Sequence, residues 1–307
     1  MSVKVILTQM AVIAIFLVLG YLARKRDWIR EASVKDLSWI LVNIGGPCQA
    51  LSTVLNAESA PDKKDALLIL AILGGLYVVL IIFGLVMGPM IRAKRSDWRF
   101  YNVMTVFGNV GFLGIPLAQA LMGSTAAFYM AMCCMIYNLL FYSYGYLILR
   151  PEGGSAGIKP SIFINPGVIA TILAFVAFFT GLDLPGVVDS SVLYAGNTVT
   201  FLAVFVIGCN LAAVSIRELF TDRTVIIFLV IKQLVFPIAC ILILRQILDN
   251  ELILGVLAIT LSVPVGNSSS LVAATNGCDL RTLTKATVLT TLLSIVTMTV
   301  CLLVAAA

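Results

Sequence analysis

Apolar runs of about 20 residues recur along the whole chain, and this recurrence decides the fold class. We read ten: residues 5–23, 34–54, 66–91, 99–121, 125–149, 164–181, 192–214, 223–245, 251–275 and 282–305. The runs at 34–54, 99–121 and 251–275 are the weakest, because Gly, Asn, Ser and Pro interrupt them. In lipid only helices and closed barrels satisfy the backbone internally. The expected fold is therefore an all-α integral membrane protein with ten transmembrane helices. Hydrophobic residues make up 61% of the chain and charged residues 11%, far from the balance of a water-soluble domain. The longest gap, residues 150–163, is a short Pro/Gly/Ser linker and holds no soluble domain.

Basic residues set the expected orientation. Numbered alternately, one set of connections carries Arg24, Lys25, Arg26, Arg30, Lys35, Arg92, Lys94, Arg95, Arg99, Arg150, Lys159, Arg217, Arg223, Arg281 and Lys285. The other carries Lys4, Lys63, Lys64 and Arg245. The richer side is expected in the cytoplasm, so both termini and residues 56–65 face outward in a multi-pass cell-membrane protein. The first run does not read as a cleaved signal peptide, because its basic cluster follows the apolar stretch. The net charge of +5 is accounted for by loops facing anionic lipid and does not call for nucleic acid.

Several chemistries are excluded early. All seven cysteines lie in or beside apolar runs, with no CxxC, and read as free thiols packing as small hydrophobes. The chain has no histidine, which removes His-based metal ligation, general bases and proton shuttles. It has no GxxxxGK[ST] loop and no serine with a plausible base. No enzyme activity, cofactor or metal site is expected.

The runs divide at the linker into residues 1–149 and 164–307, five in each half. An odd number inverts the second half relative to the first. Run 4 contains Gly108-Asn109 with Pro116, and run 9 contains Gly266-Asn267 with Pro264. The Gly-Asn pairs and the prolines do not align in register, so the likeness is one of device. Paired helix interruptions in two inverted halves point to a transporter binding site. Pro116 suits the start of an outgoing half-helix, and Asn267 and Ser268–Ser270 suit the cap of another. Two helix N-termini would then turn N–H groups toward one cavity and favour an anion. The alternative is that these are packing kinks, since Gly, Ser and Asn often mediate helix contacts in membranes.

Lys232 is a lone cation in the run Thr224–Leu244, about eight residues from its nearer end. No acidic residue lies inside an apolar run, away from its ends, to pair with it. A mid-bilayer charge costs about 3 kcal/mol on insertion scales, so it needs a partner. Two readings stand: an anion-binding lysine in a transport pathway, or one that snorkels or binds backbone carbonyls at a helix break.

Several segments together resemble the auxin efflux carrier family, whose bacterial members include malonate- and malate-type carriers. They are Asn109-Val-Gly-Phe-Leu-Gly-Ile-Pro116 with Gly123, Leu37–Pro47, Asn165-Pro166-Gly-Val-Ile169, Ile207-Gly-Cys-Asn-Leu211 and Lys232-Gln-Leu-Val-Phe-Pro237. The chain departs from many members where run 7 has Asn197–Phe205 in place of a helical proline, and from the family's plant members where their long cytoplasmic loop is here the short linker. The resemblance implies two inverted five-helix repeats with broken, crossing helices 4 and 9. It implies a scaffold of spans 1, 2, 6 and 7, a transport domain of spans 3–5 and 8–10, and elevator-type movement between them. It is compatible with a homodimer through the scaffold. On that map a small organic anion lies near Asn109, Ile115, Pro116, Pro264, Asn267 and Ser268. Asn43 and Gln49 line the scaffold side, and Lys232 adds charge. Tyr137 and Asn138 either join the site or form an inter-helix hydrogen bond.

All fifteen Asp and Glu lie in loops or at span ends, which weakens a buried carboxylate as an ion-coupling group. An anion leaving a cell that is negative inside gains about 2.3 kcal/mol per charge per 100 mV. The sequence thus reads as a carrier exporting or exchanging small carboxylates. A sodium-coupled organic-anion symporter of the bile-acid type is the alternative, and an anion-binding channel or sensor is the other class.

Overall fold

The computed structural model describes residues 3–56, 63–150, 166–181, 184–212, 220–276 and 278–307. The linker with Lys159, and Asn165 before Pro166, lie outside them. The described chain is all helix, and its one β feature is an isolated antiparallel bridge between Gly108 and Val265. In chain order the helices are α1 (Val3–Lys25), α2 (31–55), α3 (Lys63–Met90), α4 (Trp98–Val106), α5 (Val110–Met122) and α6 (Ser124–Ile148). They continue as α7 (Pro166–Thr180), α8 (Gly186–Ala212), α9 (Arg223–Leu244), α10 (Glu251–Ser262), α11 (Ser268–Thr275) and α12 (Arg281–Ala306). Six of them, α1, α3, α6, α8, α9 and α12, are long and apolar enough to cross a membrane.

Two of the three runs marked as weak are broken. Run 99–121 splits into α4 and α5 around Phe107–Asn109, and run 251–275 splits into α10 and α11 around Val263–Asn267. Run 34–54 stays continuous through a π turn at Leu41–Gly45. Similar turns lie at Val110–Gly114 and Ile231–Val235. Each precedes a proline by two residues: Pro47, Pro116 and Pro237. A proline lacks an N–H and its ring collides with the carbonyl four residues back. The wider turn relieves that collision. The residue before each proline bonds five residues back instead: Gly46 to Leu41, Ile115 to Val110 and Phe236 to Ile231. The carbonyl of Gln233, four residues before Pro237, accepts from the Cys301 thiol at 3.3 Å.

Large apolar side chains along α3, such as Leu67, Leu68, Val78 and Ile82, are exposed, as a face turned to lipid requires. The core lies around α6, whose residues Ala126–Cys134 are all buried. A thread of weak polar contacts ties α6 to its neighbours. The Tyr77 hydroxyl lies 3.7 Å from the Cys133 sulfur, which lies 3.6 Å from the Thr260 hydroxyl. At one end of the bundle Asp222 caps α9 by accepting from the Thr224 and Val225 amides, and it lies 3.9 Å from the Lys285 ammonium.

Candidate functional site

The two breaks meet. The Asn109 amide donates to the Pro264 carbonyl at 2.8 Å, and the Gly266 amide donates to the Phe107 carbonyl at 3.0 Å. Ending a helix strands backbone groups that lipid cannot satisfy. Here each interruption supplies the other's missing partner. Close approach requires glycine at this point. A Cβ on Gly108 would sit 2.7 Å from the Val263 side chain, and one on Gly266 would sit 3.2 Å from the Phe107 carbonyl oxygen.

The second break is also held from behind. The Lys232 ammonium donates to the Val263 carbonyl, directly after the last turn of α10. The Val265 amide donates to the Thr290 hydroxyl at 3.2 Å, and the Gln233 side-chain amide donates to the Thr290 carbonyl at 3.0 Å. Adjacent residues of the α9 π turn thus grip the break and α12 together.

On the front of the pair lies a cavity of about 140 Å³. Asn43, Pro47 and Gln49 of α2 form one side, and Gly167 and Thr171 of α7 continue it. Asn109, Gly111, Phe112 and Ile115 face them from the first break and α5. Cys134, Tyr137, Asn138 and Tyr142 come from α6, and Gly266, Asn267 and Ser268 from the second break and the start of α11. Tyr137 and Ser268 line the cavity together. The Asn138 amide donates to the Thr171 hydroxyl at 3.4 Å, linking α6 to α7. The Asn43 amide donates to the Trp39 carbonyl of its own helix at 2.9 Å. Asn109 and Gln49 are 6% and 7% exposed, so little of either amide meets the outside of the molecule.

Eight of the eleven residues expected at a site therefore meet around this cavity: Asn43, Gln49, Asn109, Ile115, Tyr137, Asn138, Asn267 and Ser268. Three are elsewhere. Lys232 is 3% exposed and is spent on the Val263 carbonyl. Pro264 is in the break, where its carbonyl receives Asn109. Pro116 falls in the first turn of Ile115–Met122, but the helix already begins a π turn earlier, at Val110. The first-turn amides beside the cavity thus belong to Gly111 and Phe112. Sequence reasoning did not single out Phe112, Tyr142 or Thr171. Thr171 left a signal, as a hydroxyl inside an otherwise apolar run.

A second cavity of about 570 Å³ shares Gln49 and Ile115 with the first. Ser52, Asn56, Pro116, Gln119, Ser124, Asn197 and Thr200 line it, and no charged side chain does among the described residues. It leads from the central cavity toward the ends of α2 and α5.

Among the described residues, six membrane-length helices surround two further helical runs whose breaks pair with each other and line a cavity, which is the build of a membrane transport protein. The chain matches the family of that description over residues 5–162 and 156–302 and belongs to it, the family of the auxin efflux carriers. It is also similar to the uncharacterized transporter YfdV of Escherichia coli K12, at 23% identity over 212 residues covering 66% of this chain and 67% of the relative. The YfdV proteins of Escherichia coli O157:H7 and Shigella flexneri match to the same extent.

Proposed function

We propose that the chain is a secondary transporter that exports or exchanges small organic carboxylate anions, with the central cavity as the binding site. The observation that carries this reading is the pairing of the two breaks. Backbone freed from helix at membrane depth persists only where it is buried in protein or lines a cavity, and here it does both. Two helix N-termini, at Val110 and Ser268, open beside Asn109 and Asn267, which favours a negatively charged group.

In this reading the ten helical stretches cross the membrane as two inverted repeats, residues 1–149 and 164–307, with α4–α5 and α10–α11 as the broken spans. Spans 1, 2, 6 and 7 form the scaffold and the remainder the transport domain. The cavity supports that division, because α2 and α7 form one wall and the breaks with α6 form the other. Sliding of one against the other would expose the site to each side in turn. The protein would sit in the cell membrane with both termini outside, as a homodimer through the scaffold. Asn109, Asn267 and Gln49 hold the carboxylate, while Phe112 and Tyr142 contact its apolar body.

Counterflow in proteoliposomes tests the proposal. Vesicles loaded with unlabelled carboxylate should take up the same labelled carboxylate faster than empty vesicles. Uptake without this stimulation by internal substrate indicates a channel, and no uptake across a panel of mono- and dicarboxylates removes the carboxylate reading. The sodium-coupled alternative requires uptake to depend on a sodium gradient.

A further inference from the structure

The charge that the cavity is able to neutralise limits what it holds. Its described wall contains no Lys or Arg. The nearest candidate by sequence, Lys232, is not in the wall, and its ammonium is engaged by the Val263 carbonyl. Among the described residues, what remains for an anion is uncharged: the side-chain amides of Asn109, Asn267 and Gln49, the hydroxyls of Tyr142 and Ser268, and the N-terminal turns of α5 and α11. A helix N-terminus acts as about half a unit of positive charge, so two supply roughly one unit. One carboxylate is matched by that amount. A second would meet no cationic side chain in the described wall and would give up hydration that the remaining uncharged groups do not fully replace.

The remaining surface points the same way. Phe112, Ile115 and Tyr142 are apolar or aromatic, and they suit the uncharged body of a ligand. An apolar cavity of about 150 Å³ takes benzene, so 140 Å³ suits a ligand of roughly six to ten non-hydrogen atoms.

We infer that the cavity selects small carboxylates bearing a single negative charge and rejects the same skeleton when it bears two. The inference rests on the carboxylate reading above and sharpens its substrate class. Dicarboxylates such as malonate and malate are accordingly poor ligands as dianions.

Malonate and its monomethyl ester give the cleanest test, since they share a carbon skeleton and differ by one charge at neutral pH. Binding of each to purified full-length protein is measured by calorimetry at neutral pH, with a small monocarboxylate such as butyrate alongside. The half-ester should bind at least about ten-fold more tightly than malonate. Acidification that protonates one malonate carboxyl should narrow the gap, while butyrate affinity stays level as long as its carboxylate remains ionised. Asn109→Lys, which adds a cation to the wall, should raise malonate affinity relative to the half-ester in folded protein. If that variant fails to fold, the pH series on the unaltered protein still decides. Malonate dianion binding as tightly as the half-ester, with no gain on acidification, overturns the charge limit and leaves the carboxylate reading standing. If none of the three binds and none drives counterflow, the carboxylate reading falls and the charge limit falls with it.

Discussion

The ammonium of Lys232 donates a hydrogen bond to the carbonyl of Val263, 31 residues further along the chain and one residue past the end of α10. A helix that stops inside a membrane presents unpaired carbonyls and the negative end of its dipole. A buried cation at that end satisfies both. The only lysine away from the ends of an apolar run is thereby placed as a cap on a helix break, behind the cavity and outside its wall.

Lys232→Met should therefore lower the melting temperature of the purified protein. It leaves the Val263 carbonyl buried without its donor, a loss of about 1–3 kcal/mol, although it also removes an isolated buried charge. Carboxylate affinity of the folded fraction should stay within about two-fold, well short of the ten-fold that a direct contact worth 1.4 kcal/mol would cost. Lys232→Arg retains a donor and should recover part of the melting temperature. Lost affinity with unchanged melting would instead return Lys232 to the substrate.

Asn109 and Asn267 should behave in the opposite way. The pairing of the breaks uses backbone groups, so Asn109→Leu and Asn267→Leu leave those hydrogen bonds possible. Each variant should reach the membrane and melt near the parent temperature while transport collapses. Loss of a hydrogen bond to a charged ligand, about 1.5–3 kcal/mol, corresponds to roughly ten- to a hundred-fold in affinity. Normal transport by both variants, or misfolding of both, would make these residues packing elements.

Orientation is tested at two exposed serines. The concentration of basic residues puts Ser96 on the cytoplasmic side and Ser190 outside. In intact cells an impermeant maleimide should label Ser190→Cys and not Ser96→Cys, above the background of the seven native thiols. Opening the membrane should make both reactive. Labelling of Ser96→Cys in intact cells would reverse the assignment.

Much of the helix layout was legible in the sequence because lipid leaves the backbone few choices. The run 66–91 is α3 at Lys63–Met90, and the run 223–245 is α9 at Arg223–Leu244. The breaks were legible from Gly108-Asn109 and Gly266-Asn267, because glycine and asparagine serve non-helical backbone where leucine does not. The roles of the prolines were not. Pro264 lies in the break itself, whereas Pro116 sits beyond a π turn inside α5, which explains why the two did not align. For Lys232 the sequence left two destinations, an anion or a backbone carbonyl at a helix break, because the choice depends on where α10 stops in space; the Val263 carbonyl is the second. Phe112 and Tyr142 look like ordinary apolar residues until the folded chain brings them to one cavity.

Among the described glycines, the closest approach to a neighbouring backbone is between α1 and α8. α1 and α8 touch through reciprocal glycines. A Cβ on Gly20 would lie 2.0 Å from the Phe205 carbonyl oxygen, and one on Gly208 would lie 2.1 Å from that of Leu17. The Cys209 thiol adds a bond to the Gly20 carbonyl at 3.3 Å. Because the obstacles are backbone atoms, no rotamer change relieves them, and the helices must separate. Gly20→Ala and Gly208→Ala should each cost about 1–3 kcal/mol, the range for forced overpacking, read as a lower melting temperature in detergent. Gly75→Ala is the control, since nothing lies within 4 Å of its added methyl group. There the gain in helix propensity, about 0.5–1 kcal/mol, should leave melting unchanged or raise it. Equal behaviour of all three variants would mean that the α1–α8 contact is looser than its geometry requires.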